Sequence, residues 1–264
     1  MLVSGGIAFT LMARVGLIDP KHVIALRSIP EIHSIHETAD GIWIGAHATH
    51  RAVSESQIVQ TLHPVISAAF GAIGTIRIRA QGTIGGNLAY ADPAQDPPPA
   101  LTVSSATVHI VGPSGRRRDV PIERFFLDYY TADIEPDEII IGLSVPAPTQ
   151  PTVSTYRRFN PRTVDDFPTV SVAAAARLQP GTGTVEDIKI ALGGVGPTPL
   201  RARSVEEAFV GIVPTFDAIE TVSALVADDI APFDDARGSA SFKHAIAVVW
   251  VGRALRDLTA IQSS

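Results

Sequence analysis

Two glycine pairs are the residues best placed by type to do chemistry: Ser4-Gly5-Gly6 near the start, and Thr83-Ile84-Gly85-Gly86-Asn87 further on. Glycine lacks a Cβ, so its backbone turns with positive φ and leaves its N–H groups uncovered. Successive uncovered N–H groups form a concave anion site that suits a pyrophosphate. The second segment adds the Thr83 hydroxyl and the Asn87 amide as donors. Neither segment fits the G-x-G-x-x-G dinucleotide fingerprint or the G-x-x-x-x-G-K-[ST] phosphate loop. Taken singly, each reads first as an ordinary turn. His47-Ala48-Thr49-His50 has H-x-x-H spacing, with Glu55 the only acid close by in sequence. Without a third ligand, these read as surface or capping histidines rather than a metal site. His33 and His36 stand in a polar turn without a partner pattern. No G-x-S-x-G elbow supports a hydrolase triad. Of the acid pairs, Asp234-Asp235 lies in a Pro/Gly-rich loop and reads as solvated. Phe125, Phe126, Tyr129 and Tyr130 read as core packing, with a partner-facing patch as the sharper alternative.

The elements that must position these residues follow from pattern. The first glycine pair feeds a short helix ending before Asp19-Pro20, and 22–26 reads as a strand. Residues 42–46 read as a strand, Thr49 as an N-cap and 64–73 as a helix. The second glycine pair falls in a loop of small residues. Residues 107–111 and 118–120 form a hairpin whose tip carries Arg116-Arg117-Arg118. Residues 122–129 read as helical, and 138–146 as a β-branched strand. Pro146, Pro148 and Pro151 make a stiff connection, where we place a domain boundary. Beyond it come strands at 155–159, 169–178 and 185–192, although 173–176 is also compatible with helix. Helices follow at 204–209, 216–226 and 241–258. The fold class is α+β: a mixed domain, then a three-stranded antiparallel meander packed with helices.

Composition excludes several function classes. The 264 residues contain no cysteine, so the chain holds no disulfide, thiol nucleophile, Cys-ligated zinc or iron–sulfur cluster. Lys and Arg number 21 against 27 Asp and Glu, a net charge of −6, with no basic surface for nucleic acid. No apolar run reaches the ~20 residues of a membrane helix. Met1 to Ala13 is apolar but lacks a basic start, so it does not read as a signal peptide. Zero cysteine fits the cytoplasm.

The stretch Thr83-Ile84-Gly85-Gly86-Asn87-Leu88-Ala89-Tyr90-Ala91-Asp92-Pro93-Ala94-Gln95-Asp96-Pro97-Pro98-Pro99-Ala100-Leu101 closely resembles the flavoprotein subunit of the molybdenum hydroxylases. That family includes the medium subunit of carbon monoxide dehydrogenase and the FAD domain of xanthine dehydrogenase. Ser4-Gly5-Gly6 resembles its first FAD loop, and Glu135-Pro136-Asp137-Glu138 its L-x-P-x-E element. Tyr156-Arg157-Arg158-Phe159, Asp165-Asp166-Phe167 and Leu192-Gly193-Gly194-Val195-Gly196-Pro197 resemble its C-terminal domain.

The resemblance implies a PCMH-type FAD-binding fold of two subdomains, 1–48 and 49–150, and a C-terminal flavoprotein domain, 151–264. It implies FAD as cofactor, held non-covalently. Electrons would arrive from the [2Fe–2S] clusters of a small subunit, fed by a molybdopterin-binding large subunit. The assembly would be a heterohexamer, a dimer of heterotrimers. Gly5, Gly6, Gly85, Gly86 and Asn87 would give donors to the pyrophosphate, with Gly86 at positive φ, and Thr83 would add a hydroxyl. Ser4, Ile7 and Ala8 belong to the first loop. Asp92 would accept from a tyrosine or ribose group, or order the loop through its own backbone. Ile140 would pack near the adenine or flavin rings. Arg158 stands where the family often has Lys and would offer a cation, while Asp166 and Phe167 would lie against the flavin ring. Two departures stand out. Ile7 and Ala8 replace polar residues of the family loop, and the family has a further strand and helix before this loop. The expectation is either a start assigned too late or a shortened, flavin-poor assembly subunit. A stand-alone FAD oxidoreductase is the third reading.

Overall fold

The computed structural model describes residues 1–262. Alternating burial along the β-branched segment 139–146 marks it as a half-covered strand. Ile139–Pro146 is the centre of a five-stranded antiparallel sheet. Gly41–Gly45 and then Ile35–Thr38 flank it on one side, with Thr107–Val111 and then Arg117–Pro121 on the other. Ile42, Ile44, Val108, Ile110, Leu143 and Val145 of this sheet share one core with Val53, Val59, Val65, Ile66 and Phe70 of the helices His50–Glu55, Gln57–Leu62 and Pro64–Gly71.

The C-terminal sheet runs Val153–Phe159, Val170–Leu178, Val185–Gly193 and Leu200–Arg201, all antiparallel. It has four strands rather than the three expected, the fourth being a two-residue edge strand. The central strand settles the ambiguity at 173–176, because it is covered on both faces. Val170, Val172, Ala174 and Ala176 pack with the helices Arg203–Phe209, Phe216–Ser223 and Ala240–Gln262. Ala173, with Ala175 packed beside it, belongs instead to the core of the first sheet. Small side chains let a layer of helices approach closely, and tertiary packing overrides the helical preference of alanine.

Local differences from the sequence reading have physical causes. The second glycine pair lies in a helix, Ile84–Tyr90, and not in a loop. A further helix, Ile76–Gln81, precedes it, capped by Thr75. Helix in the 122–129 segment stops at Phe125, and Phe126–Asp128 pairs with Thr131–Ala132. The strand expected at 22–26 is only Ile24–Ala25, parallel to Leu2–Val3. The arginine run is not a free tip: Arg117–Pro121 is a strand, and Arg118 forms an ion pair with buried Glu138. Phe125 is fully buried, whereas Tyr129 and Tyr130 are exposed. Among the described residues, no helix is long and apolar enough to cross a membrane.

Candidate functional site

The two glycine segments meet. Gly5 sits flush against the second segment, where an added Cβ would fall 2.2 Å from the Gln81 carbonyl oxygen. Gly6 follows at φ +80° and caps the helix Ile7–Arg14, so Ile7 and Ala8 occupy its first turn. The first-turn N–H groups of a helix have no intrahelical acceptor. That helix buries none of its residues. Ser4 bridges the segments through its hydroxyl, which accepts from Thr83 Oγ1 at 2.9 Å and lies 2.7 Å from His47 Nδ1. Thr83 Oγ1 in turn accepts from the Gly86 N–H at 3.3 Å.

The end of strand Gly41–Gly45 pins the second segment. Ala46 and Ala48 carbonyls accept from Gly85 at 2.8 Å and Ile84 at 3.1 Å. A Cβ on Gly85 would fall 2.8 Å from Ala46, so glycine there permits close backbone approach. Gly86 has helical rather than positive φ, which corrects the expectation for it. A Cβ on Gly86 would lie 3.1 Å from Thr83 Oγ1 and 4.0 Å from Ser4 Cβ.

Asp92 does two of the things expected of it. Its Oδ1 accepts from the Ala94 N–H at 2.9 Å and its Oδ2 from the Tyr130 hydroxyl at 3.1 Å. Burial first, then the Asp92 charge, pushes the Tyr130 phenol up to about 12. Gln95, only 2% exposed, donates to the Asn87 carbonyl at 2.8 Å. The side-chain oxygens Asn87 Oδ1 and Gln95 Oε1 are buried without a partner. An orphaned buried acceptor costs about 1–3 kcal/mol, and a ligand hydroxyl would relieve it.

The other expected residues are engaged within the chain. Ile140 is 5% exposed and lies opposite Ile110 in the first core, on the strand whose Ile141 carbonyl accepts from Ala46. The Arg158 guanidinium is consumed within the chain. It pairs with Asp96 at 3.1 Å, donates to Asn160 Oδ1 at 2.7 Å, and bonds the Ala72 and Asp166 carbonyls. Asp166 therefore contributes its backbone oxygen to this clamp. Phe167 is 45% exposed. A cleft of about 320 Å³ opens beside the clamp, lined by Gly74, Arg79, Arg158, Asn160 and Val164.

Sequence reasoning gave Gln95, Asp96 and Tyr156 no individual role and read His47 as a surface or capping residue. Asp96 is 4% exposed and accepts from Tyr156 at 2.5 Å. Burial pushes its carboxyl up to about 6, against the pull of Arg158 and then Tyr156. An acid directly before Pro97-Pro98-Pro99 was the available signal, since a proline run opens the helix Pro97–Val103 there. His47 had no such signal: its ring meets Ser4 only through the fold. Its ring pairs with His33 at 4.4 Å, while His50 packs on Phe70 at 5.5 Å.

Uncovered N–H groups around Gly5 and Gly6, two hydroxyls and two orphaned acceptors fit an elongated dinucleotide with both phosphate and hydroxyl groups. Residues 1–148 match the family described as FAD binding domain in molybdopterin dehydrogenase. Residues 154–258 match the CO dehydrogenase flavoprotein C-terminal domain. The chain is 33% identical over 254 residues to the carbon monoxide dehydrogenase medium chain of Hydrogenophaga pseudoflava, covering 96% of this chain and 87% of that one. It is 28% identical over 256 residues to the glyceraldehyde dehydrogenase medium chain of Sulfolobus acidocaldarius, covering 97% and 89%. The solved carbon monoxide dehydrogenase of H. pseudoflava lacking the Mo-pyranopterin moiety superposes with a TM-score of 0.93 at 34% identity, over 98% of this chain and 89% of that chain. The chain belongs to the FAD-binding flavoprotein family of the molybdopterin dehydrogenases, and is an oxidoreductase subunit whose cofactor is FAD.

Proposed function

We propose that this chain is the electron-relay subunit of a molybdenum hydroxylase. In this reading it takes electrons from the [2Fe–2S] clusters of a small partner subunit and passes them to an external acceptor. A molybdopterin-binding large subunit would complete a heterohexamer, a dimer of heterotrimers, in the cytoplasm. FAD supplies the redox chemistry when bound. The chain's own residues bind and orient. Gly5 and Gly6 leave backbone donors open to the diphosphate, and Thr83 and Ser4 fix the spacing of the two segments. Asn87 and Gln95 offer acceptors to hydroxyl groups. The Arg158–Asp96 clamp holds the 160–168 segment, which carries Asp166 and Phe167 toward the ring end. The binding unit would comprise subdomains 1–48 and 49–150, with 151–264 as the C-terminal domain.

The observation that supports this reading is the contact of Ser4-Gly5-Gly6 with Gln81-Gly82-Thr83, which brings two distant glycine segments together. The absence of cysteine supports the division of labour, because this chain cannot hold a cluster itself. Anaerobic stopped-flow at flavin wavelengths tests it. Dithionite should bleach the flavin of the isolated chain, and the organic substrate should bleach it only after the two partner subunits are added. Substrate-driven bleaching of the isolated chain would replace the relay with a stand-alone oxidoreductase.

A further inference from the structure

The hydroxyls beside the first glycine loop form one hydrogen-bonded chain. Thr83 Oγ1 accepts from the Gly86 N–H and gives its own hydrogen to Ser4 Oγ at 2.9 Å. Ser4 Oγ lies 2.7 Å from His47 Nδ1, and with the neutral ring in its Nε2–H tautomer Ser4 donates to the Nδ1 lone pair. In that tautomer the Ser4 hydrogen is engaged by His47 and withheld from a ligand.

We propose that His47 is a positioning residue for the diphosphate site: when Nδ1 takes up a proton it donates to Ser4 Oγ, and the Ser4 hydrogen turns outward to the bound dinucleotide. This rests on the reading that the first glycine loop receives the FAD diphosphate. Each state conserves the hydrogens: one proton enters from solvent, and one hydroxyl rotates. The diphosphate stays charged across the range in which imidazole titrates, and it favours the protonated form. FAD binding then takes up a proton at His47, and affinity rises as pH falls.

The surroundings leave His47 free to respond. Its ring is half-buried and has no carboxylate within ion-pair distance among the described residues. The turn before strand Ile35–Thr38 presents His33, whose Nε2 lies 3.0 Å from the Arg27 carbonyl. The first glycine loop presents Ser4, and the second segment presents Thr83, neither of which ionises in this range. Burial, then His33, lowers the pKa of His47, so the FAD-free chain holds it neutral near pH 7.

The test is FAD binding to the full-length chain by flavin fluorescence, from about pH 8 to about pH 5.5. Linkage to one proton changes affinity by at most about tenfold per pH unit. The wild-type Kd should fall about three- to tenfold across the range. In His47→Gln the neutral amide holds Ser4 at every pH, so FAD should still bind but without the slope. Ser4→Ala should bind more weakly and also without the slope. His33→Ala removes a like charge and should move the midpoint to higher pH. An unchanged slope in His47→Gln overturns the proposal while leaving the FAD site intact. Failure of the wild-type chain to bind FAD at any pH overturns the glycine-loop assignment itself, and the proposal with it.

Discussion

Ser4 and Thr83 are 79 residues apart in sequence and share a hydrogen bond of 2.9 Å. One threonine hydroxyl thereby caps the helix Ile84–Tyr90 and ties it to the first glycine loop. The placement of the first glycine loop and local helix stability therefore depend on the same side chain.

Thr83→Val keeps shape and removes both bonds. Losing an N-cap costs about 1 kcal/mol, and the lost bond to Ser4 about another 1 kcal/mol. We expect stability to drop by about 2 kcal/mol in urea denaturation, and FAD content to fall. Thr83→Ser retains the hydroxyl and should stay close to wild type in both. Equal loss in Thr83→Ser would show that the methyl group, and not the hydroxyl, matters.

Gly5→Ala should abolish FAD binding, because its Cβ would sit 2.2 Å from a backbone oxygen that cannot swing aside. Gly16→Ala is the matched comparison. At φ +73° it meets open space, so it carries only the left-handed backbone cost of about 1–2 kcal/mol and should retain FAD. Gly86→Val should also reduce flavin content, by crowding Thr83 Oγ1. Cofactor content per chain after gel filtration reads all three, and full flavin in Gly5→Ala would remove the first loop from the site.

Glu138 links stability to acid. Arg118 holds it through Oε1 at 2.9 Å and Oε2 at 2.6 Å, and Oε2 also accepts from the Glu135 N–H at 3.0 Å. Arg118 first, then the backbone, pulls its carboxyl down to about 2. The folded value lies below the unfolded one, so this stabilisation is present above about pH 4.5 and is lost as pH falls toward about 2. Glu138→Gln should lower the urea midpoint at neutral pH and flatten the loss of stability below about pH 4.5. An identical acid profile in the variant would show that other carboxylates control it.

Much of the fold was legible because it is written locally. The strand Ile139–Pro146 announces itself by β-branching, Thr49 by its place before the helix His50–Glu55, and the hairpin at 107–121 by its Gly-Pro-Ser-Gly turn. The helix Ile84–Tyr90 was hidden, because two glycines argue against helix and only the Thr83 cap and pinning by Ala46 and Ala48 overcome them. The glycines and Thr83 were singled out through the long match to a known family, and the fold brings their segments into contact. For Ile140 and Arg158 the sequence gives a residue type but not which in-chain contacts its face or its charge makes. Ile110 faces Ile140 in the sheet, and Asp96, Ala72 and Asp166 absorb the Arg158 donors.

Asp96 carries the last prediction, since burial and pairing pull on it in opposite directions. Its carboxyl is 4% exposed, accepts from Tyr156 at 2.5 Å and pairs with Arg158 at 3.1 Å. Burial is the larger effect and raises the carboxyl from 3.8 to about 6. A raised folded value means the folded chain binds this proton more tightly than the unfolded one. The associated stability is full below about pH 4 and is lost as pH rises through about 6. A shift of about two units corresponds to about 3 kcal/mol at most. Asp96→Asn cannot ionise, and its Oδ1 still accepts from Tyr156 and Arg158. The stability of wild type relative to the variant should therefore fall by about 1–3 kcal/mol between about pH 4.5 and about pH 7.5. Urea denaturation at the two pH values measures the difference. A relative stability that rises toward neutral pH would mean that the ion pair with Arg158 outweighs the cost of burying the charge.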